Sequence, residues 1–481
     1  MAGIFGGRRQ TEATGLGQGQ PRSTQSMTTE LNIWFLDDGT LGDTVPNVIH
    51  NLDRLLARFP EIGAVLNGSK CEVIPLCHSE EDLQHTTQLF RSRLPSIKFI
   101  APENQHLLGS ALTDEAVPGL LNEKLSELTR LASRLQSIDA HPAFTLLKNC
   151  FAIPKLLYIL RTSNAYKSLD QLREIDNVIK SCLTSITNVS FNEDAWSQAR
   201  LPVRYGGLGI RTAEDLAPSA HLASHYATEG LVTSILQSIN PDQQLEPLDV
   251  MRCWQERAPG APVPNDKSKQ KKWDEPVCKN IMQDLIARAN QVDRARLLAA
   301  REEGSGAWVQ VLPIPAVGTL LDETALRIAV AHRVGAPVCE PGTLKCRCSD
   351  VYVDHLGLHP LSCRYSAGRA PRHAHLNDII KRALTTAGLP SVLEPEGLAR
   401  RDNRRPDGMT VFPFRNGKAL VWDATCVDTY ASTHVNHCAL QAGHAANNAE
   451  RNKNIKYQNL CDRYIFQPIA VEIENAGVLG K

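Results

Sequence analysis

The sequence predicts a multidomain protein of mixed α/β and α class, and three observations carry that expectation. The chain has 481 residues, long for one domain, and its 42% hydrophobic content supplies apolar material for more than one core. Up to about residue 110 the pattern runs strand, acidic turn, helix, strand, and from Leu120 it changes to long helical repeats of apolar residues. After Cys339 the composition shifts toward cysteine, histidine and arginine. The divisions expected are a disordered N-terminus at 1–27, an α/β layer at 28–110, a helical region at 111–240, a linker and helical region at 241–335, a metal knuckle at 336–365 and a second α/β unit at 366–481.

Residues 1–27 are rich in Gly, Gln, Ser and Thr and too poor in apolar side chains to offset their ordering entropy. LNIWFL then reads as a strand and DDGT as a tight turn. Val48, Ile49, Leu52, Leu55, Leu56 and Phe59 form one face of a helix opened by Thr44 and Pro46, and CEVIPL is the next strand. LLNEKLSELTRLASRL, AFTLLKNCFAIPKLLYILR and LDQLREIDNVIKSCLTSI are amphipathic helices, broken by LPVRYGGLGI. The stretch APGAPVPNDKSKQKKW reads as a solvated linker, whose Lys267, Lys269, Lys271 and Lys272 can meet phosphate or an import receptor.

Bulk composition narrows the function classes. Lys+Arg and Asp+Glu each total 52, which excludes a uniformly basic nucleic-acid coat and an acidic tail. The 13 cysteines are an odd number and the start lacks the apolar core of a signal peptide, so a reducing compartment and a soluble intracellular chain are expected. No uninterrupted apolar run reaches the roughly 18 residues of a membrane helix, and no membrane partner is expected.

Adjacent Asp37 and Asp38 on a hairpin tip can hold divalent metal, because carboxylates fixed in a turn suit Mg²⁺. Alone, Asp and Gly there are ordinary hairpin chemistry. In order, FLDDGTLGD, an amphipathic helix, LNGSKCEVI and HLLGSAL resemble the later palm motifs of reverse transcriptases of the non-LTR retrotransposon kind. That resemblance implies a truncated right-hand polymerase palm followed by a helical thumb. It makes Asp37 the stronger metal ligand, Asp38 its neighbour, and Lys70 the lysine near an incoming nucleotide. The family's fingers and earlier palm aspartate have no counterpart in the low-complexity stretch before Phe35, so the implied polymerase is a remnant without independent activity.

Four of the 13 cysteines lie between Cys339 and Cys363, together with His355 and His359. Thiolate and imidazole donors match tetrahedral Zn²⁺, which can hold a short segment that lacks its own core. Cys346, Cys348, His359 and Cys363 are the first choice of ligands. Cys339 is an alternate for one of the close C-x-C pair, and His355 competes with His359. A CCHC knuckle followed by RHAHLN resembles the layout just ahead of the nuclease in early-branching members of the same retrotransposons.

Residues 364–418 hold 11 Lys+Arg against 5 Asp+Glu, a local excess of 11 − 5 = 6 that favours a polyanion. Within them RRPDG carries Asp407, and after a turn at FRNGK the strand ALVWDATCVDT carries Asp423. Two carboxylates on neighbouring strands can share one Mg²⁺. In the following helix Glu450, Lys453 and Tyr457 share a face with Lys456 beside them, while Ala445, Ala446 and Ala449 allow close packing on a sheet. Together RPDG, WDATCVDT and KNIKY resemble the restriction-like endonuclease of those retrotransposons, a member of the PD-(D/E)XK group. The resemblance implies Asp407 and Asp423 as Mg²⁺ (or Mn²⁺) ligands, Lys453 or Lys456 as the catalytic lysine, and Glu394 as a further acidic ligand. Thr425 stands where many nucleases of the wider group have lysine, so the lysine is borrowed from the later helix.

The expected function is therefore that of a retrotransposon-derived protein whose C-terminal, Mg²⁺-dependent endonuclease nicks target DNA for integration. Its expected partners are target DNA, element RNA and a separate polymerase fragment, and its expected location is the nucleus. The alternative is a catalytically decayed, zinc-stabilised nucleic-acid-binding protein.

Overall fold

The structure, a computed structural model, describes residues 2–5, 29–35, 38–76, 79–236, 247–346, 348, 352–363, 365–366, 368–396, 398 and 405–473. The chain is a mixed α/β protein, mostly helical, with small sheets and a C-terminal four-stranded mixed sheet.

The N-terminal sheet contains Ala2–Phe5 (β1), Leu31–Phe35 (β2), Asp38–Asp43 (β3), Glu72–Val73 (β4) and Lys98–Phe99 (β5), in the order β2-β3-β1-β4-β5. β2 and β3 form the antiparallel hairpin expected from LNIWFL and DDGT, with Phe35 opposite Asp38. Trp34 lies opposite Gly39, where an added Cβ would sit 2.6 Å from the indole ring, so the glycine is selected by the ring that covers it. β1 corrects one expectation, since it comes from the segment read as disordered and pairs antiparallel with both β3 and β4. Four residues carry no readable period; their order comes from backbone hydrogen bonds on both sides. The rest of that segment, residues 6–27, lies outside the described residues. The strand read from CEVIPL is reduced to the two residues of β4.

Helices Val45–Arg58 (α1) and Glu80–Arg91 (α2) cover this sheet, burying Val48, Ile49, Leu52 and Phe90 against Cys71 and Val73. Thr44 is the N-cap of α1 but makes no side-chain cap; the carboxylate of Asp43 accepts from the backbone N of Thr44 and, at 3.1 Å, from Asn47 Nδ2. A small hairpin of His106–Leu107 (β6) and Ser110–Ala111 (β7) leads into the helical region.

That region comprises Ala116–Leu135 (α3), Ala140–Leu146 (α4), Ile153–Thr162 (α5), Leu169–Thr187 (α6), Glu193–Ala199 (α7), Ala213–Leu236 (α8), Leu248–Arg257 (α9), Gln270–Arg288 (α10), Gln291–Ala300 (α11), Ala307–Gln310 (α12) and Glu323–Val334 (α13). One hydrophobic cluster joins its two halves, including Leu121, Leu156, Ile175, Trp254, Trp273 and Leu326. The stretch read as a linker is a mostly exposed loop up to Lys269, and its last four residues, Lys271 and Lys272 among them, form the first turn of α10; its flanks are pinned. Trp254 and Trp273 are fully buried, edge to face at 5.0 Å, and Trp254 Nε1 donates to the Trp273 carbonyl at 2.8 Å. Ala140–Thr162 is, among the described residues, the helical run long and apolar enough to cross a membrane, although Lys148, Asn149 and Lys155 interrupt its apolar sequence. Its Leu147, Leu156, Ile159 and Leu160 are buried in the cluster, the behaviour of a core helix.

Buried Asp176 on α6 accepts from the backbone N of Ala213 at 2.7 Å and of Glu214 at 3.1 Å, at the start of α8. Burial nevertheless outweighs these donors and pushes its carboxyl from 3.8 up to about 7. A raised folded value means stability that is fully present below the unfolded value and lost as pH rises through the folded one. Between pH 5 and pH 8 the wild-type urea midpoint should therefore fall relative to that of Asp176→Asn. Parallel titration curves for the two proteins would refute this.

The C-terminal unit contains Leu358–Ser362 (α14), Arg369–Thr386 (α15), Ser391–Leu393 (β8), Gly408–Thr410 (β9), Leu420–Val427 (β10), Val435–Cys438 (α16), His444–Lys456 (α17) and Ile465–Glu472 (β11). The sheet order is β11-β10-β9-β8. β8, β9 and β10 pair antiparallel, and β10 pairs in parallel with β11 after a crossover through α16 and α17. Asn416 and Gly417, both at positive φ, turn the β9–β10 hairpin as FRNGK predicts. Trp422 and Ala424 face Leu376 of α15, whereas Val421 faces Tyr457 and Leu460 on the other side.

Candidate functional site

β10 is buried from Val421 through Ala424, so its alternation divides polar chemistry between two helices. Asp423 points to the α17 side. Its carboxylate is 7% exposed, accepts from Lys453 Nζ through Oδ1, and lies 3.4 Å from Lys456 Nζ through Oδ2. Lys453 also donates to the Ala424 carbonyl at 3.2 Å, and Lys456 donates to the Tyr457 hydroxyl at 2.7 Å. α17 thus sets both lysines against Asp423. Its N-terminus is fixed by Glu472, 1% exposed at the end of β11, whose Oε1 accepts from Ala445 N at 3.0 Å and Ala446 N at 3.2 Å. Glu472 was not identified from sequence, because a glutamate at a strand end carries no sign of the helix that it caps.

Asp407 immediately precedes β9. Its backbone N donates to the Trp422 carbonyl at 3.0 Å, and its Oδ2 accepts from Ala424 N at 2.7 Å. The same oxygen lies 3.1 Å from His373 Nε2, on α15. Burial, reinforced by the charge of Asp423, pushes the Asp407 carboxyl up. Burial acts in the same sense on Asp423, but donation from Lys453 and Tyr457 and the charges of both lysines hold it below the usual carboxylate range. Paired groups driven in opposite directions mark a site with chemistry in reserve, though buried ion networks do the same.

The glycine of RRPDG has a packing cause. A Cβ on Gly408 would fall 2.0 Å from the ring of Trp422, which is fully buried and donates through Nε1 to Asn377 Oδ1 at 3.0 Å. The ring has nowhere to move, so Gly408→Ala should cost about 3 kcal/mol, the upper end of overpacking penalties. A urea midpoint unchanged from wild type would contradict this.

Glu394, just past β8, has its carboxylate in an exposed ion pair with Arg405, and its backbone N donates to the Asp407 carbonyl at 2.8 Å. No hydrogen bond links its carboxylate to Asp407 or Asp423 among the described residues. In the N-terminal sheet, Asp37 lies outside the described residues and Asp38 opens β3 with its side chain likewise outside them. Lys70 is exposed in the turn Gly68–Lys70 before β4.

Cys346, Cys348, His359 and Cys363 bring their donor atoms within 4.8 Å of one another. Cys346 Sγ is 3.5 Å from Cys363 Sγ, and Cys348 Sγ is 3.0 Å from His359 Nε2. Zn–S bonds of about 2.3 Å give a tetrahedron with edges of about 3.8 Å, so the donor set and spacing could hold Zn²⁺. The alternates stand outside this group. Cys339 Sγ contacts the Asp354 carbonyl at 3.3 Å, and His355 gives its carbonyl to Val338 N at 2.8 Å. The cause is the Asp354 carboxylate, which accepts from the backbone N of Leu356 at 2.9 Å and of Leu358 at 3.2 Å and turns the chain into α14, bringing His359 inward.

No protein-family model matches the chain, and no curated protein matches it.

Proposed function

We propose that the C-terminal unit is a Mg²⁺-dependent DNA endonuclease of the restriction-like kind, in a nuclear protein of retrotransposon origin related to non-LTR reverse transcriptases. The observation that carries this reading is the convergence of Asp407, Asp423, Lys453 and Lys456 beside Ala424 in the middle of one sheet. A bound Mg²⁺ would supply Lewis-acid polarisation of a scissile phosphate. Asp407 and Asp423 are the residues that would hold it. Lys453, held by Asp423 and the Ala424 carbonyl, offers a cation to the charge that develops on phosphate oxygens, and Lys456 stands behind it against Tyr457. The zinc knuckle and the basic segment would bind and orient target DNA through its backbone. For the N-terminal sheet the proposal extends only to kinship, supported by the β2–β3 hairpin and Lys70 at the turn before β4.

Nicking of supercoiled plasmid by the full chain with zinc retained tests the proposal. Mg²⁺-dependent nicking that Asp407→Ala abolishes is expected. Lys453→Met should lower the nicking rate by roughly 10²–10³-fold. It should also cost about 3 kcal/mol of stability by leaving Asp423 short of its buried partner, the low end of such losses because Lys456 and Tyr457 remain. DNA that is bound but never cut would leave the binding protein as the function.

A further inference from the structure

We propose that His373 is a positioning residue for Asp407, set in one tautomer by a directed chain of hydrogen bonds that begins at Trp422. The proposal rests on the metal-binding reading of Asp407 and Asp423. Trp422 Nε1 can only donate, and it donates to Asn377 Oδ1 at 3.0 Å. That fixes the Asn377 amide with its NH₂ on the opposite side, where Nδ2 lies 3.4 Å from His373 Nδ1. A donor facing Nδ1 makes that nitrogen the acceptor, so the neutral ring carries its proton on Nε2. Nε2–H then points at Asp407 Oδ2, 3.1 Å away, with the Ala424 carbonyl at 3.3 Å.

Burial holds Trp422 and Asn377 against rotation, and the half-exposed His373 ring is fixed by its own hydrogen bonds. Trp422 is fully buried and Asn377 is 5% exposed, while His373 and Asn377 are one turn apart on α15. Asp407 therefore has Oδ2 committed to Ala424 N and His373 Nε2, with the Asn377 side chain a further donor to its carboxylate, and together they orient the carboxylate plane. Hydrogen-bonded partners behind a metal-binding carboxylate raise metal affinity by fixing that orientation.

The test is Mn²⁺ binding to the full chain with zinc retained, followed by electron paramagnetic resonance of free Mn²⁺. The binding lost in Asp407→Asn defines the site. His373→Ala should weaken that binding by roughly 10–100-fold at an unchanged urea midpoint. His373→Gln, which keeps a donor at the Nε2 position, should recover most of the affinity. Asn377→Asp can still accept from Trp422 but offers His373 Nδ1 no donor. It should shift the histidine ¹⁵N signal absent from His373→Gln toward the Nδ1–H tautomer and weaken Mn²⁺ at least as far as His373→Ala does, because it also removes the Asn377 donor to Asp407. Wild-type affinity in His373→Ala, or an Nδ1–H tautomer in the wild type, would overturn the proposal while leaving the endonuclease reading intact. Absence of any Mn²⁺ binding that depends on Asp407 would overturn both.

Discussion

Asp407→Asn is expected to abolish Mg²⁺-dependent nicking and, in the same molecule, to raise resistance to urea. Two donors to Asp407, Ala424 N at 2.7 Å and His373 Nε2 at 3.1 Å, converge on one oxygen, Oδ2, and the Asn377 side chain donates to the same carboxylate. The amide oxygen of asparagine can take that place and keep both hydrogen bonds. What changes is the charge, in a buried position already facing the carboxylate of Asp423. The direction of the stability change follows from linkage. A carboxyl whose folded value is raised costs stability at every pH above its unfolded value, so at neutral pH Asp407 carries a cost that asparagine lacks. Loss of a metal ligand should reduce nicking by at least the roughly 10²-fold typical of removing a supporting partner behind one. The measurements are plasmid nicking with Mg²⁺ and urea unfolding without it. A less stable Asp407→Asn protein would mean that Asp407 is held by favourable charge pairing, which would undercut its assignment as a poised, unneutralised ligand.

This opposition between stability and activity is what a catalytic metal site predicts and a purely structural ion network does not. Asp423 shows the contrast within the same sheet. Two lysines balance its charge and a tyrosine donates to it, so it is the anchored member of the pair, while burial and the charge of Asp423 disfavour the ionised form of Asp407.

Sequence made the donors legible better than their supports. Asp423 could be read because ALVWDATCVDT carries an eight-residue strand, β10, and Lys453 because a helical face repeats every three to four residues. Cys346, Cys348, His359 and Cys363 could be read because thiol and imidazole are rare enough to be informative in a cluster. The supports of Asp407 obey no local period. His373 and Asn377 arrive from α15, and Asn377 reaches Trp422 across 45 positions of chain. Glu472 likewise caps α17 across 27 positions. Strands of two to four residues, β1, β4, β5, β8 and β9, exist through pairing with their neighbours and leave no alternation to detect. Near the knuckle, the choice of His359 over His355 turned on the carboxylate of Asp354, a hydrogen-bonding role that residue identity alone does not disclose.

Zinc removal should unfold the knuckle without unfolding the helical region. Among its described residues the segment from Cys346 to Cys363 buries, besides its Cys363 donor, the apolar side chains of Val353 and Leu356, and otherwise depends on its four donors and on the Asp354 turn. Structural Zn²⁺ sites contribute on the order of 10–16 kcal/mol of apparent binding free energy, far more than those two side chains can provide. The large cluster around Trp254 and Trp273 takes in Ala336 and Val338 at the start of the knuckle but, among the described residues, none of Cys346 to Cys363, and should keep its own transition. α15 should feel the loss at its first turn, since Arg372 donates to the Leu361 carbonyl of α14 and would be left without that anchor. Limited proteolysis after chelation should therefore open cleavage sites between residues 345 and 372 and spare α3 to α10, with zinc readdition restoring protection. Cys348→Ser, which removes one donor at the centre of the cluster, should reproduce the pattern with zinc present. Equal protection of the knuckle with and without zinc would show that Cys346, Cys348, His359 and Cys363 hold the segment as packed thiols, and would remove the metal from the account of this site.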